Sequence, residues 1–401
     1  MKTGYFFDFN IQSMNKRLYL LLLTCCVLLS THAQLNGNGY YRVKNVASNR
    51  WMSLCDNTST GVDYNSTTVD CAALVTNSIW DEISCDAGSI FYVESAGDKN
   101  YNIYGQGTSI YEMIQYYIYL TKVGSSYTVW QEQKGQRVLL SDKNTSKDKS
   151  YVINNTSYDR WNIIPWDNQS NYLGVKPTIS AGGKHYAAFF AGFPYNLGAG
   201  MKAYYISKLD ESKGVAVYKE LTGTIPAKTP VIIECSSKEV GENLLTPVVS
   251  KVAVPSDHVA KGVYFCMGNP WSGHFNSTKF DEAKMRVLGV NADGKLVVTT
   301  STEHLTSVNI REEDSAGNNL SVLAIPANSW YLPVSASAPT ELGLMSDSEY
   351  TTGIEDIVVS PSKTTYDVYT IDGIQLKKNA KSINDLPQGI YIVNGKKVVI
   401  K

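Results

Sequence analysis

The chain is short of the residues that carry most enzyme chemistry. It has 5 histidines and 7 cysteines among 401 residues, and no Cys-x-x-Cys pair. The histidines are scattered, which argues against a zinc site, whose ligands come at short, regular spacings. Gly-x-Ser-x-Gly, His-Glu-x-x-His and the phosphate-binding loop are all missing. Adjacent carboxylates occur at Asp281-Glu282 and Glu312-Glu313-Asp314. Neighbours on a strand point to opposite faces, so these are not acid–base pairs. Nothing calls for a cofactor, and the reading is non-enzymatic. Charged residues make up only 18% of the chain, and no basic block exists to hold nucleic acid or an anionic membrane. No stretch of helical length is amphipathic apart from a weak candidate at Phe280–Met285.

One long apolar run is present, at the start. Lys16-Arg17 precede Leu18 to Leu29, and Thr31-His32-Ala33 offers small residues before Gln34. This is the three-part pattern of a secretory signal peptide over residues 1–33, too short to span a bilayer, with Met14 as an alternative start. Thr24 before Cys25 and the apolar residues after Cys26 do not fit a lipoprotein signal. Removing residues 1–33 takes away Lys2, Lys16, Arg17 and Asp8, leaving 33 basic against 36 acidic residues, a formal charge near −3. No later run is long enough to be an integral membrane segment. The remaining cysteines are Cys55, Cys71, Cys85, Cys235 and Cys266. An oxidising compartment allows one bridge among the first three and one between the last two. Burial as reduced thiols is the equal alternative.

What the chain does have is β pattern throughout. Short runs of Val, Ile, Tyr and Thr alternate with Gly, Asn, Asp and Ser, and 27 tyrosines against 10 phenylalanines suit strands that meet water. The expected class is all-β.

Three echoes fall within residues 34–168. Tyr40–Asn45 leads to Arg50–Leu54, Ser89–Glu94 to Tyr101–Tyr104, and Tyr127–Gln131 to Arg137–Ser141. Their starts lie about 48 and then about 38 residues apart, a period suited to a repeated four-strand unit. Ile79-Trp80 and Trp161-Asn162-Ile163 sit where such units end in a buried tryptophan. With the opening Gly39-Tyr-Tyr-Arg-Val-Lys-Asn45 and the closing Trp161-x-Ile163-x-Pro165, this region resembles a β-trefoil of the ricin-B type. The resemblance implies sugar binding through an Asp, an aromatic platform and an Asn. The nearest local sets are Asp142, Asn144 and Trp130, then Asp56, Asn57 and Trp51. The family's Gln-x-Trp stands here as Ser78-Ile79-Trp80 and Asp159-Arg160-Trp161.

Residues 171–345 carry a second echo. Ile225-Pro-Ala-Lys228 and Ile325-Pro-Ala-Asn328 each lead into an apolar strand, and Asp293-Gly294 marks a hairpin. This region resembles the β-sandwich-like modules of Bacteroidetes cell-surface proteins, as two halves of one domain or two small domains. Trp271, in the loop Asn269–Phe275, is a candidate surface contact. A polar linker, 346–362, follows. In residues 363–401, Asp372-Gly373 and Asn394-Gly395 are hairpin turns between strands around Val368, Ile392 and Val399. Together with Pro387-Gln-Gly-Ile-Tyr391, this stretch resembles the C-terminal β-module that serves as a type IX secretion sorting domain in exported Bacteroidetes proteins. Two function classes follow from the resemblances. One is a secreted or surface glycan-binding protein. The other is a structural or adhesive protein whose partners are surface proteins.

Overall fold

A computed structural model describes residues 35–54, 74–106, 117–133, 135–143, 147–264, 278–313, 319–352 and 365–400. The signal-like segment, Asp56, Asn57, Asn144, Trp271, Cys55, Cys71 and Cys266 lie outside the described residues.

The first region is a closed barrel of ten strands: β1 Gly39–Asn45, β2 Trp51–Leu54, β3 Leu74–Asn77, β4 Phe91–Gly97, β5 Asn100–Gly105, β6 Ile118–Val123, β7 Ser126–Gln133, β8 Gln136–Asp142, β9 Lys149–Asn154 and β10 Arg160–Pro165. Each sequence echo forms the first hairpin of a three-strand unit, β1–β2–β3, β4–β5–β6 and β7–β8–β9. β3 pairs with β9 and β1 with β4, while β10 bridges β1 and β7. Alternation along the strands fills the inside with Val43, Val93, Leu120, Val129, Leu140 and Ile163. Trp161 is fully buried and donates its indole N–H to the Leu140 carbonyl at 3.0 Å. Truncating it to alanine would cost about 3–5 kcal/mol. Trp80 departs from the expected buried end-of-unit tryptophan. It is half-buried and opens a short helix, α1 (Trp80–Ile83).

The second region comprises β11 Leu173–Gly174, β12 Ile179–Ala181, β13 Lys184–Phe189, β14 Tyr195–Leu197, β15 Lys202–Asp210, β16 Val215–Leu221, β17 Val231–Cys235, β18 Leu244–Pro247, β19 Lys261–Val263, β20 Met285–Val290, β21 Leu296–Thr299, β22 Thr306–Glu313, β23 Asn319–Ala324, β24 Ser329–Pro333 and β25 Glu341–Ser346. Ten of these form one sheet, ordered β12-β13-β17-β15-β16-β25-β21-β20-β24-β19. The Ile-Pro-Ala echo is a structural repeat. β13-β17-β15-β16 and β19-β24-β20-β21 have the same order and the same antiparallel pairings. Lys228 (φ 59) and Asn328 (φ 55) take the same left-handed turn before β17 and β24. β25 joins the halves, parallel to β16 and antiparallel to β21. Their faces meet in a shared core of Ile206, Ile232, Leu288, Val298, Trp330 and Leu332. The Trp330 indole crosses between halves to the Val231 carbonyl at 2.7 Å.

The helix expected at Phe280–Met285 does not form. Asp281 accepts from the Ala283 amide at 3.0 Å and turns the chain into β20 instead. Conversely, the expected linker begins as a helix, α2 (Asp347–Thr352). A reciprocal cap starts it: the Ser346 amide donates to the Glu349 carboxylate at 2.6 Å, and the Glu349 amide to the Ser346 hydroxyl at 3.2 Å.

The terminal module is a four-stranded antiparallel sheet of β26 Tyr366–Thr370, β27 Gln375–Ala380, β28 Gly389–Val393 and β29 Lys396–Ile400, ordered β27-β26-β28-β29. Asn394 (φ 49) and Gly395 (φ 81) make the left-handed pair that a two-residue hairpin demands. Tyr366, Val368, Tyr391 and Val398 share its small core. No helix among the described residues is long and apolar enough to cross a membrane.

The first two regions are joined by polar side chains. Arg42, fully buried, donates to Ser89 Oγ (2.9 Å), Asn171 Oδ1 (2.9 Å) and the carbonyls of Tyr172 (2.7 Å) and Ile83 (2.9 Å). Burial pulls its pKa down to about 10, which still leaves it charged at neutral pH. Asn328 gives its amide to Asp86 at 3.0 Å and accepts from Gln106 at 2.7 Å, while Gln106 accepts from the Gly192 amide at 2.8 Å.

Candidate functional site

Side chains that turn inward on β4–β8 build the barrel core, so their neighbours in sequence must face out. One outward row runs across five strands by register: Glu94, Asn102, Tyr119, Trp130 and Leu139. Tyr119 and Trp130 stack with centroids 4.5 Å apart and planes at 27°. The Arg137 guanidinium lies 4.7 Å from the Trp130 ring and donates to Thr128 Oγ1 at 2.8 Å. The indole N–H donates to Thr121 Oγ1 at 3.0 Å, which passes its own proton to Asn100 at 2.7 Å. Trp130 is thereby fixed, with Tyr119 and Arg137 as ring neighbours.

Tyr117 continues the strip. Its ring is 6.5 Å from Tyr119 and 54% exposed. On the other flank Tyr104 donates to Glu94 at 2.6 Å, Asn102 donates to the same oxygen at 3.4 Å, and the Tyr92 ring lies 6.1 Å from Tyr104. Burial, then the bond to Glu94 and its charge, push the Tyr104 phenol up to about 12. Burial, then Glu132, also raises Tyr119. These phenols remain protonated donors at neutral pH. The face therefore offers aromatic rings, a carboxylate acceptor, amide groups and a guanidinium. It can hold a hydroxyl-rich ligand.

No protein-family model, curated protein or solved structure matches this chain.

The sequence-derived candidates separate. Trp130 lies in this outward row. Asp142 lies further along β8, is 1% exposed, and turns away into the barrel. Its Oδ2 accepts from Arg50 Nε and Nη2 at 2.8 Å each, and its Oδ1 from Thr76 at 2.8 Å. A ligand would have to displace those partners, so its evident work is to tie β8 to the first unit. Trp51 belongs to a third place, with Lys44 Nζ 4.5 Å from its ring and Trp80 at 5.6 Å. Sequence spacing misses Tyr117, Tyr119, Tyr104 and Glu94. For Tyr104 on β5 and Tyr119 on β6, alternation between buried neighbours was the available signal.

A second concavity, about 360 Å³, lies where the barrel meets the second region, with Glu82, Lys176, His304 and Asn328 on its walls. Among the described residues no three His, Cys, Asp or Glu side chains gather as a metal-binding group.

Proposed function

We propose that this is a non-catalytic, exported surface protein that holds glycans on the outer aromatic face of its barrel, and that the barrel is a β-trefoil of the ricin-B type. The observation that carries the glycan reading is the row Glu94–Asn102–Tyr119–Trp130 beside the half-exposed Tyr117. Sugars present apolar ring faces and fans of hydroxyls, and this row supplies partners for both. The three-unit strand order supports the trefoil assignment.

Export rests on the signal-like residues 1–33 and on the type IX sorting resemblance of the tail, which also carries the assignment to a Bacteroidetes source. In the terminal module the edge strand β27 and its turn leave Ile371 and Ile374 more than 60% exposed, with Leu376 at 46%. An exposed apolar edge of this kind suits capture by another protein.

Tyr117, 54% exposed beside this stack, is the proposed platform for a sugar, with the indole as its support. A glycan array with the mature chain and Tyr117→Ala tests this. Binding that weakens in the variant supports it. A blank array for the wild type would instead favour the adhesive reading, in which protein partners are the ligands. Asp142 gives that reading its own support, since the carboxylate expected at a sugar site is already satisfied internally.

A further inference from the structure

A separate groove of about 300 Å³ opens in the second region, lined from β13, β15, β16 and β17 on one side and from β21 and β25 on the other. Three tyrosines from three strands line it: Tyr186 on β13, Tyr204 on β15 and Tyr218 on β16. Tyr204 and Tyr218 meet edge to face with centroids 5.3 Å apart. Glu234, from β17 between β13 and β15, accepts from Lys184 at 2.7 Å and lies 3.4 Å from the Tyr204 hydroxyl. Leu296 and Leu344 close the other side, where β21 and β25 approach. The groove thus combines aromatic faces, phenolic donors, one carboxylate and one ammonium.

Charge decides which ligand class fits. Lys202 faces Glu234 by register and pairs with Glu220 at 3.9 Å. Two ammoniums therefore balance two carboxylates around the rings. A cation would need an excess of negative charge, and an anion the reverse. The groove suits a neutral ring bearing several hydroxyls.

The internal repeat supplies a control. Aligning Lys228 with Asn328 and following the strand registers makes Ile232 equivalent to Leu332, Tyr204 to Arg286, Ile206 to Leu288 and Tyr218 to Val298. The same alignment places Glu234 opposite Val334. In the second half Leu332 and Val298 are fully buried, and Arg286 is spent on four backbone carbonyls, those of Glu282, Met285, Ala338 and Pro339. The core positions Ile206 and Leu288 keep their character across the repeat. Three groove positions do not: where the second half has Arg286, Val298 and Val334, the first half has Tyr204, Tyr218 and Glu234. The fold does not require those three residues, since the second half forms without them.

We propose that the first half of the second region carries a second binding site, for one neutral sugar residue or a similar ring polyol, independent of the barrel face.

The test is saturation-transfer NMR and calorimetry on the mature chain with the methyl glycosides of glucose, galactose, mannose, xylose and N-acetylglucosamine. The proteins compared are the wild type, Tyr117→Ala, and Tyr117→Ala combined with either Glu234→Gln or Leu344→Trp. Glu234→Gln removes a charged acceptor, and Leu344→Trp fills the groove while leaving its polar groups in place. At least one glycoside should bind Tyr117→Ala saturably, weaken about tenfold or more when Glu234→Gln is added, and lose binding when Leu344→Trp is added. Three results overturn the proposal: no saturable binding to Tyr117→Ala, binding indifferent to both groove substitutions, or binding of tetramethylammonium in preference to every glycoside. Loss of all binding in Tyr117→Ala alone would leave the barrel site standing and remove this one.

Discussion

Arg50 and Asp142, 92 residues apart in sequence, meet at 2.8 Å with only 5% and 0% of their side chains exposed. Arg50 also donates to the carbonyls of Lys147 (2.9 Å) and Lys143 (3.1 Å), so both ions are hydrogen-bonded beyond their own pair. Removing one partner strands the other charge in the barrel wall. Asp142→Ala is expected to destabilise the chain by about 3–5 kcal/mol, read by urea unfolding. Glycan binding lost in that variant would report unfolding, so the folded fraction must be measured beside it.

Asp210 ties α2 to the β15–β16 turn. Ser212 donates to it at 2.7 Å and Tyr350 at 2.7 Å, and these bonds, with a smaller contribution from Lys213, hold its carboxyl down at about 2. A carboxylate whose folded pKa is depressed stabilises above its unfolded pKa of about 4 and loses that contribution as pH falls toward 2. Wild type should therefore melt above Asp210→Asn at pH 6, and the two should converge between pH 4 and pH 2. A difference that persists unchanged at pH 2 would contradict this. The group sits half-buried at the surface, where solvent screens part of the effect, so the shift in Tm will be small.

Cys235 is 6% exposed, and burial followed by the Glu234 charge pushes its thiol up to about 12. Iodoacetamide at pH 8 should leave Cys235 unlabelled in the native chain and label it only after denaturation, as peptide mass mapping would show.

The two left-handed turns of the repeat should respond oppositely to glycine. Lys228→Gly relieves an unfavourable φ and is expected to stabilise by about 0.5 kcal/mol. Asn328→Gly also relieves φ but deletes the bonds to Asp86 and Gln106 that join the barrel to the second region. It should lower Tm, and differential scanning calorimetry would separate the two.

The sequence carried the local features well. The three echoes became the hairpins β1–β2, β4–β5 and β7–β8 because strand alternation is written in neighbouring residues. Asn394-Gly395 was legible because few residues accept two successive positive φ angles. The cap of α2 was also present as Ser346-x-x-Glu349, but its short polar helix has no apolar stripe to announce it. The sites were less legible. Asp142 looked like a ligand because its partner lies far back in the chain, at Arg50. The tyrosine groove gathers side chains that meet only once the sheet order is known. Trp130 was readable as an aromatic, whereas the row that gives it meaning depends on the registers of four other strands.

The most direct test of the central claim is quantitative glycan binding by the mature chain and Tyr117→Ala, with Trp130→Ala as the supporting-ring control. At least one array glycan should bind the wild type and weaken about tenfold in Tyr117→Ala, the loss of one stacking contact of about 1–2 kcal/mol, while thermal unfolding stays unchanged. Wild-type binding to no glycan, or glycan binding that both substitutions leave intact, would contradict the assignment of the barrel face as the glycan site.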